Sequence, residues 1–130
     1  MGYLIDSNAI IDYLSGAMPE EAMTWLGNII NEAPIISVMT KIEVLGFKNT
    51  VNTDALLNDF IGACLIIPLS EETIDQTIQI RKKHKIKTPD AIIAASAKVL
   101  ALTLISRNTA DFKKIGGLKV IDPWAINAIT

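Results

Sequence analysis

Short apolar runs alternate along this chain with longer stretches in which apolar residues recur every three or four positions. The runs are Tyr3 to Ile5, Ile35 to Met39, Leu65 to Leu69, Leu102 to Ile105 and Leu118 to Ile121. Continuous apolar runs of this length predict strands buried on both faces of a parallel sheet. Pro68 interrupts the third run and assigns it to a periphery. The intervening stretches predict helices. Asp6 or Ser7 caps the first, which carries Ile10, Ile11 and Leu14 and ends at Gly16. Pro19 opens the second, with Glu20 and Glu21 in its first turn and Met23, Leu26 and Ile30 on one side. Thr40 and Glu43, three apart, fit a capping box at the start of the third. Thr53 opens a fourth, with Leu56, Leu57, Phe60 and Ile61 on one side. Ser70 caps a fifth that closes on Arg81, Lys82, Lys83 and His84, where the helix dipole favours cations. Thr88 as cap, Pro89 and Asp90 start a sixth whose residues to Ala101 are apolar or small almost all round, so it is buried. Asn108 caps a short turn holding Asp111 and Phe112, and Asp122–Pro123 starts a C-terminal helix with Trp124 and Ile129. Strands alternating with helices throughout predict an α/β fold, a three-layer α/β/α arrangement round a mostly parallel sheet.

The chain has 130 residues, half of them hydrophobic and a fifth charged, enough for one domain with a sizeable core. Few aromatics leave that core to Ile, Leu, Val and Ala. No leader-like segment and no apolar stretch near the roughly 20 residues of a membrane span are seen, so a cytoplasmic protein without membrane contact is expected. Cys64, the single cysteine, excludes an internal disulfide and reads as a buried small side chain. One His and one Cys exclude the usual zinc sites, so any metal here has oxygen ligands. The net charge of −2 argues only superficially against a nucleic-acid partner. Five of the 12 bases fall between Arg81 and Lys87, where they are either a solvated helix end or a hold on nucleic-acid phosphates.

Four acids share one topological context. Asp6 follows the first strand, Glu43 lies past the second, Asp90 opens the buried helix and Asp111 lies past the fourth strand. Three of them have a bland role: Asp6 as a helix cap, Glu43 in a capping box, Asp90 paired with a helix dipole. Yet parallel strands end on one side, and α/β sheets bind ligands in the crevice beyond those ends. Carboxylates gathered there repel one another unless some protonate or a cation neutralises them. An all-oxygen set of this charge suits Mg²⁺ or Mn²⁺, which lower the pKa of bound water and steady charge on a phosphoryl group.

The stretches LIDSNAIIDYL, ISVMTKIEVLGF, KTPDAIIAASA, LISRNTADF and GLKVIDPW, in this order, resemble PIN-domain proteins, most of all the small VapC-type toxins of prokaryotic toxin–antitoxin pairs. The resemblance spans essentially the whole chain and implies a PIN domain over residues 1–130. It implies that Asp6, Glu43, Asp90 and Asp111 are both catalytic acids and metal ligands of an acidic pocket. It further implies a Mg²⁺- or Mn²⁺-dependent endoribonuclease that cuts RNA, forms a homodimer and is inhibited by a cognate antitoxin. Asn8 matches a family polar position; Ser7, Arg107 and Asn108 are expected as supporting or substrate-contacting residues, and Arg107 as a partner of phosphate, antitoxin or Asp111. Ser106 stands where many relatives have Thr and keeps the hydroxyl. Asp12 is expected to face solvent, and Trp25 and Trp124 to serve the core or an interface. Two alternatives stay within the fold: an RNA-processing nuclease outside any toxin pair, and a catalytically idle PIN fold that binds partners. A haloacid-dehalogenase-like phosphatase needs a second acid where this chain has Asn8.

Overall fold

The computed structural model describes residues 2–126. Five short strands are all parallel: β1 (Tyr3–Ile5), β2 (Ile35–Ser37), β3 (Leu65–Ile67), β4 (Thr103–Ile105) and β5 (Val120–Ile121). They fall into two ladders, β1–β4–β5 and β2–β3, with β1 and β2 side by side where the ladders meet. Helices α1 (Ser7–Leu14), α2 (Glu20–Glu32), α3 (Val38–Gly46), α4 (Val51–Gly62), α5 (Glu71–Lys83), α6 (Thr88–Val99) and α7 (Thr109–Phe112) connect them, and a 3-10 turn spans Pro123–Ala125.

Period-two alternation along the strands divides the interior. Leu4 and Leu104, paired in register, join Ile80 of α5 and Ile93, Ala94 and Ala97 of α6. Their neighbours Ile5 and Ile105 face the other way, with Ile36, into α1, α2, α3 and α4 through Ile10, Leu26, Val44, Leu57 and Ile61. The result is the expected α/β/α layering. The sixth helix is as buried as its composition predicts, Ala91 to Ala97 being enclosed on every side.

Several boundaries differ from the pattern-based expectations. The second strand stops at Ser37, because the Ser37 hydroxyl accepts from the Met39 amide at 3.0 Å and starts α3 there. Thr40 is therefore inside the helix, no capping box with Glu43 forms, and its buried hydroxyl finds no partner among the described residues. Thr50, not Thr53, caps α4, and Thr53 instead donates its amide to Thr50 Oγ1. Lys87 occupies the cap position of α6, so Thr88 is its first residue. β3 ends at Ile67, before Pro68, at an edge of its ladder. β4 starts one residue late, at Thr103, and β5 is shortened to two residues. Asp122 and Pro123 start only a 3-10 turn, and Ile129 lies outside the described residues. Cys64 is half-buried and not enclosed.

Candidate active site

The site is built where β1 and β4 end side by side. The Asp6 amide donates to the Ile105 carbonyl at 3.0 Å, and the Ser106 amide to the Ile121 carbonyl at 3.0 Å. These bonds carry the ladder one step beyond the strands and fix two polar residues next to each other. Asp6, only 4% exposed, caps α1 with Oδ1 on the Ser7 amide at 2.8 Å. Its Oδ2 accepts from Ser106 Oγ at 2.7 Å and from Asn8 Nδ2 at 3.4 Å. The capping role and the site role of Asp6 are thus one arrangement, with one oxygen for each.

Around this acid the supporting residues interlock. Asn8 Nδ2 also donates to Ser106 Oγ at 3.3 Å, while Asn8 Oδ1 accepts from the Arg107 amide at 3.3 Å. Ser106 Oγ accepts in turn from the Asn108 amide at 3.0 Å, and Asn108 Nδ2 donates to Asp111 Oδ2 at 3.1 Å. From α3, Glu43 Oε1 accepts the Ser7 hydroxyl at 2.7 Å. Position 8 therefore needs a donor facing Asp6. The phosphatase alternative needs a second acid at this position, where the chain instead places the Asn8 amide as a donor to Asp6.

Electrostatics tie in the fourth acid. Burial pushes the Asp6 carboxyl up to about 6; Ser106 and the Ser7 amide pull it down, and the carboxylates of Asp90 and Glu43 add to the rise. Asp90, half-buried at the start of α6, is raised by burial first and then by Glu43 and Asp111, with Lys87 opposing. Asp6 thus feels Asp90 and Glu43, and Asp111 joins the group through Asp90. Among the described residues, the ion pairs are Arg107–Asp12 at 3.4 Å and Lys114–Asp111 at 4.0 Å, so Asp6, Glu43 and Asp90 have none.

The donor set fits a hard divalent cation: carboxylate and hydroxyl oxygens, excess negative charge, no thiol or imidazole. Among the described residues no three of these acids are drawn tightly enough to enclose an ion as they stand. Closing them needs side-chain rotation, for which the exposed Glu43 and half-exposed Asp111 have room.

Two expectations about nearby residues change. Asp12 does not simply face solvent: its Oδ2 accepts from Trp124 Nε1 at 3.0 Å and from Arg107 Nη1 at 3.4 Å. Arg107 consequently pairs with Asp12 and not with Asp111. Its guanidinium also lies over the Trp124 ring, 4.2 Å from the centroid. Nothing in the local sequence marks Asp12, whose partners are 95 and 112 residues away. Alongside the site, α1, α3 and α4 enclose a groove of about 580 Å³. Ser7, Asn8, Asp12 and Glu43 are among its polar residues, and Ile11, Phe47 and Leu56 among its apolar ones.

The family model of the PIN domain matches residues 3–118, and the chain belongs to this family. A curated relative, toxin FitB of Neisseria gonorrhoeae, is 31% identical over 93% of this chain and 97% of its own length. A toxin–antitoxin complex from Klebsiella pneumoniae contains a chain 30% identical, covering 96% of this chain and 100% of that one with a TM-score of 0.76. The DNA-bound VapBC of Salmonella typhimurium shares the fold, with a TM-score of 0.80 at 22% identity over 95% of this chain and 98% of the other. The VapC-type resemblance read from the motifs thus stands. No helix among the described residues is long and apolar enough to cross a membrane.

Proposed function

We propose that this chain is the toxin of a VapBC/FitAB-type pair and acts as a Mg²⁺- or Mn²⁺-dependent endoribonuclease in the cytoplasm. The observation that carries this reading is the Asp6 environment. A buried carboxylate at a strand end is bonded only to neutral donors and raised by two further carboxylates. Such a group is satisfied by a cation, and PIN-domain relatives of this kind are toxins of toxin–antitoxin pairs.

Asp6, Glu43, Asp90 and Asp111 would hold the ion or ions. A bound divalent cation supplies an acidified water and stabilises the charge that builds on the phosphoryl oxygens. The chain's own residues do the rest. Ser106 and Asn8 hold Asp6 in one rotamer, Ser7 holds Glu43, and Asn108 holds Asp111. Such support limits the misplacement to which in-line chemistry is sensitive. Lys87, beside Asp90, adds a positive charge near the incoming backbone. The groove of about 580 Å³ that shares Ser7, Asn8 and Glu43 with the site suits an apolar segment of an antitoxin, whose seating would cover the acids. A homodimer belongs to the same reading.

The test is cleavage of a mixed RNA substrate in EDTA and then with Mg²⁺ or Mn²⁺, comparing wild type with Asp6→Asn and Asp90→Asn. Metal-dependent cutting that both substitutions abolish is expected. Cutting that survives both would refute the assignment of these acids. An upstream antitoxin reading frame beside the gene is expected for a toxin, and its absence would favour an RNA-processing nuclease.

A further inference from the structure

The Arg107–Asp12–Trp124 cluster has no part in holding the four acids, yet it is built next to them. Arg107 follows Ser106, the residue that orients Asp6, and its amide is bonded to Asn8. Asp12 lies one turn along α1 from Asn8, on the same side of the helix, a rise of about 5.4 Å per turn. The guanidinium is held from two directions. Asp12 Oδ2 takes Nη1 at 3.4 Å, and the Trp124 ring supports its plane at 4.2 Å. Trp124 is itself fixed by its indole N–H on the same carboxylate oxygen at 3.0 Å. A guanidinium carries five N–H donors in a rigid fork. The contact to Asp12 uses one, and half of the side chain is exposed. The remaining donors can therefore grip a second anion.

We infer that Arg107 binds an RNA phosphate neighbouring the scissile one, and that Asp12 and Trp124 are positioning residues that aim it. This rests on the ribonuclease reading of the acidic site. Stacking on Trp124 and pairing with Asp12 remove rotamer freedom that a free arginine would lose on binding, so the side chain meets phosphate already oriented. The contact is to the backbone and carries no base preference. The 3-10 turn at Pro123–Ala125, far along the chain, thereby takes part in substrate binding through Trp124 alone.

The experiment measures binding of a short, labelled, single-stranded RNA of mixed sequence by anisotropy, in an Asp90→Asn background and over a range of salt. Arg107→Gln is expected to weaken binding about 5- to 30-fold and to flatten the dependence of log affinity on log salt by about 0.7, the share of one phosphate on a single strand. Asp12→Ala and Trp124→Ala leave the charge of Arg107 in place and should give a smaller loss of affinity with little change in slope. Trp124→Phe keeps the stacked face and should recover most of the affinity, which separates positioning from loss of fold. With Asp90 restored, the cost of Arg107→Gln should fall on KM more than on kcat. Binding and slope unchanged in Arg107→Gln, with wild type still cutting RNA, would overturn the phosphate contact alone. No RNA binding or cutting by the parent protein would overturn the ribonuclease reading and this inference together.

Discussion

Replacing Asp6 by Asn should cost activity and yet stabilise the metal-free fold at neutral pH, by an amount that the structure sets. In the folded protein the carboxyl titrates near 6, against an ordinary value of 3.8. Between those values the folded state holds a proton that the unfolded chain has released. The contribution of Asp6 to stability is therefore highest below about pH 4, falls as pH rises through 4 to 6, and is lowest above. At roughly 1.36 kcal/mol per pH unit, the full penalty at pH 7.5 is about 3 kcal/mol, and at pH 4.5 about 1 kcal/mol. Asn removes the penalty but not for free. Ser106 Oγ already accepts from Asn8 and from the Asn108 amide, so it cannot readily take an Asn N–H in place of the proton it now gives to Asp6. That lost bond costs about 1–2 kcal/mol. The net expectation at pH 7.5 is a gain of about 1–2 kcal/mol, or roughly 3–6 °C in Tm. At pH 4.5 the gain should vanish or turn into a small loss. Urea unfolding in EDTA at four pH values from 4.5 to 7.5 measures the difference directly. A gap between variant and wild type that stays flat over this range would refute the attribution to Asp6.

Two further outcomes are expected. Adding Mg²⁺ or Mn²⁺ should raise the wild-type Tm, by about 2.7 kcal/mol of stability at a hundredfold excess over Kd, and should leave Asp6→Asn nearly unmoved in the same melt. At Gly27 in α2, an added Cβ would sit 3.0 Å from Tyr13 Oη. Gly27→Ala should therefore be near neutral in the wild type, but stabilising by up to about 1 kcal/mol in a Tyr13→Phe background, where only the helix propensity gain remains. Equal effects in both backgrounds, read by chemical denaturation, would count against the close approach.

What could be read from the sequence was set by how local its cause is. Tyr3 to Ile5 followed by Asp6 announces a buried strand with a polar end, because apolar continuity and an abrupt acid lie within six residues. The α6 start was equally plain from Pro89 and Asp90. Ser37 shows the reverse. The run IISVM is apolar across its boundary, and the Thr40–Glu43 spacing offers an equally good local cap. Only the position of the strand end in the sheet decides that Ser37 caps and that Thr40 is buried. The acids were legible because parallel strands bring their ends to one side whatever the connecting helices do. The hydrogen bonds that orient them were only partly so: Ser7, Asn8 and Asn108 are neighbours of acids in sequence, whereas Asp12 is joined to Arg107 and Trp124 by folding alone.

The bond from Ser106 to Asp6 closes a loop of 100 residues. Neither half of the pair is of use without the other, and Asp111 comes later still. During synthesis residues 106–111 must therefore emerge before the acidic centre can be assembled, so a chain stopped short of them lacks it. The same separation makes the centre sensitive to opening at one place: detaching β4 from β1 separates Ser106 and Asn108 from Asp6 while leaving α1 to α4 with their own packing. A centre arranged in this way is completed only with the fold and is lost wherever β4 parts from β1.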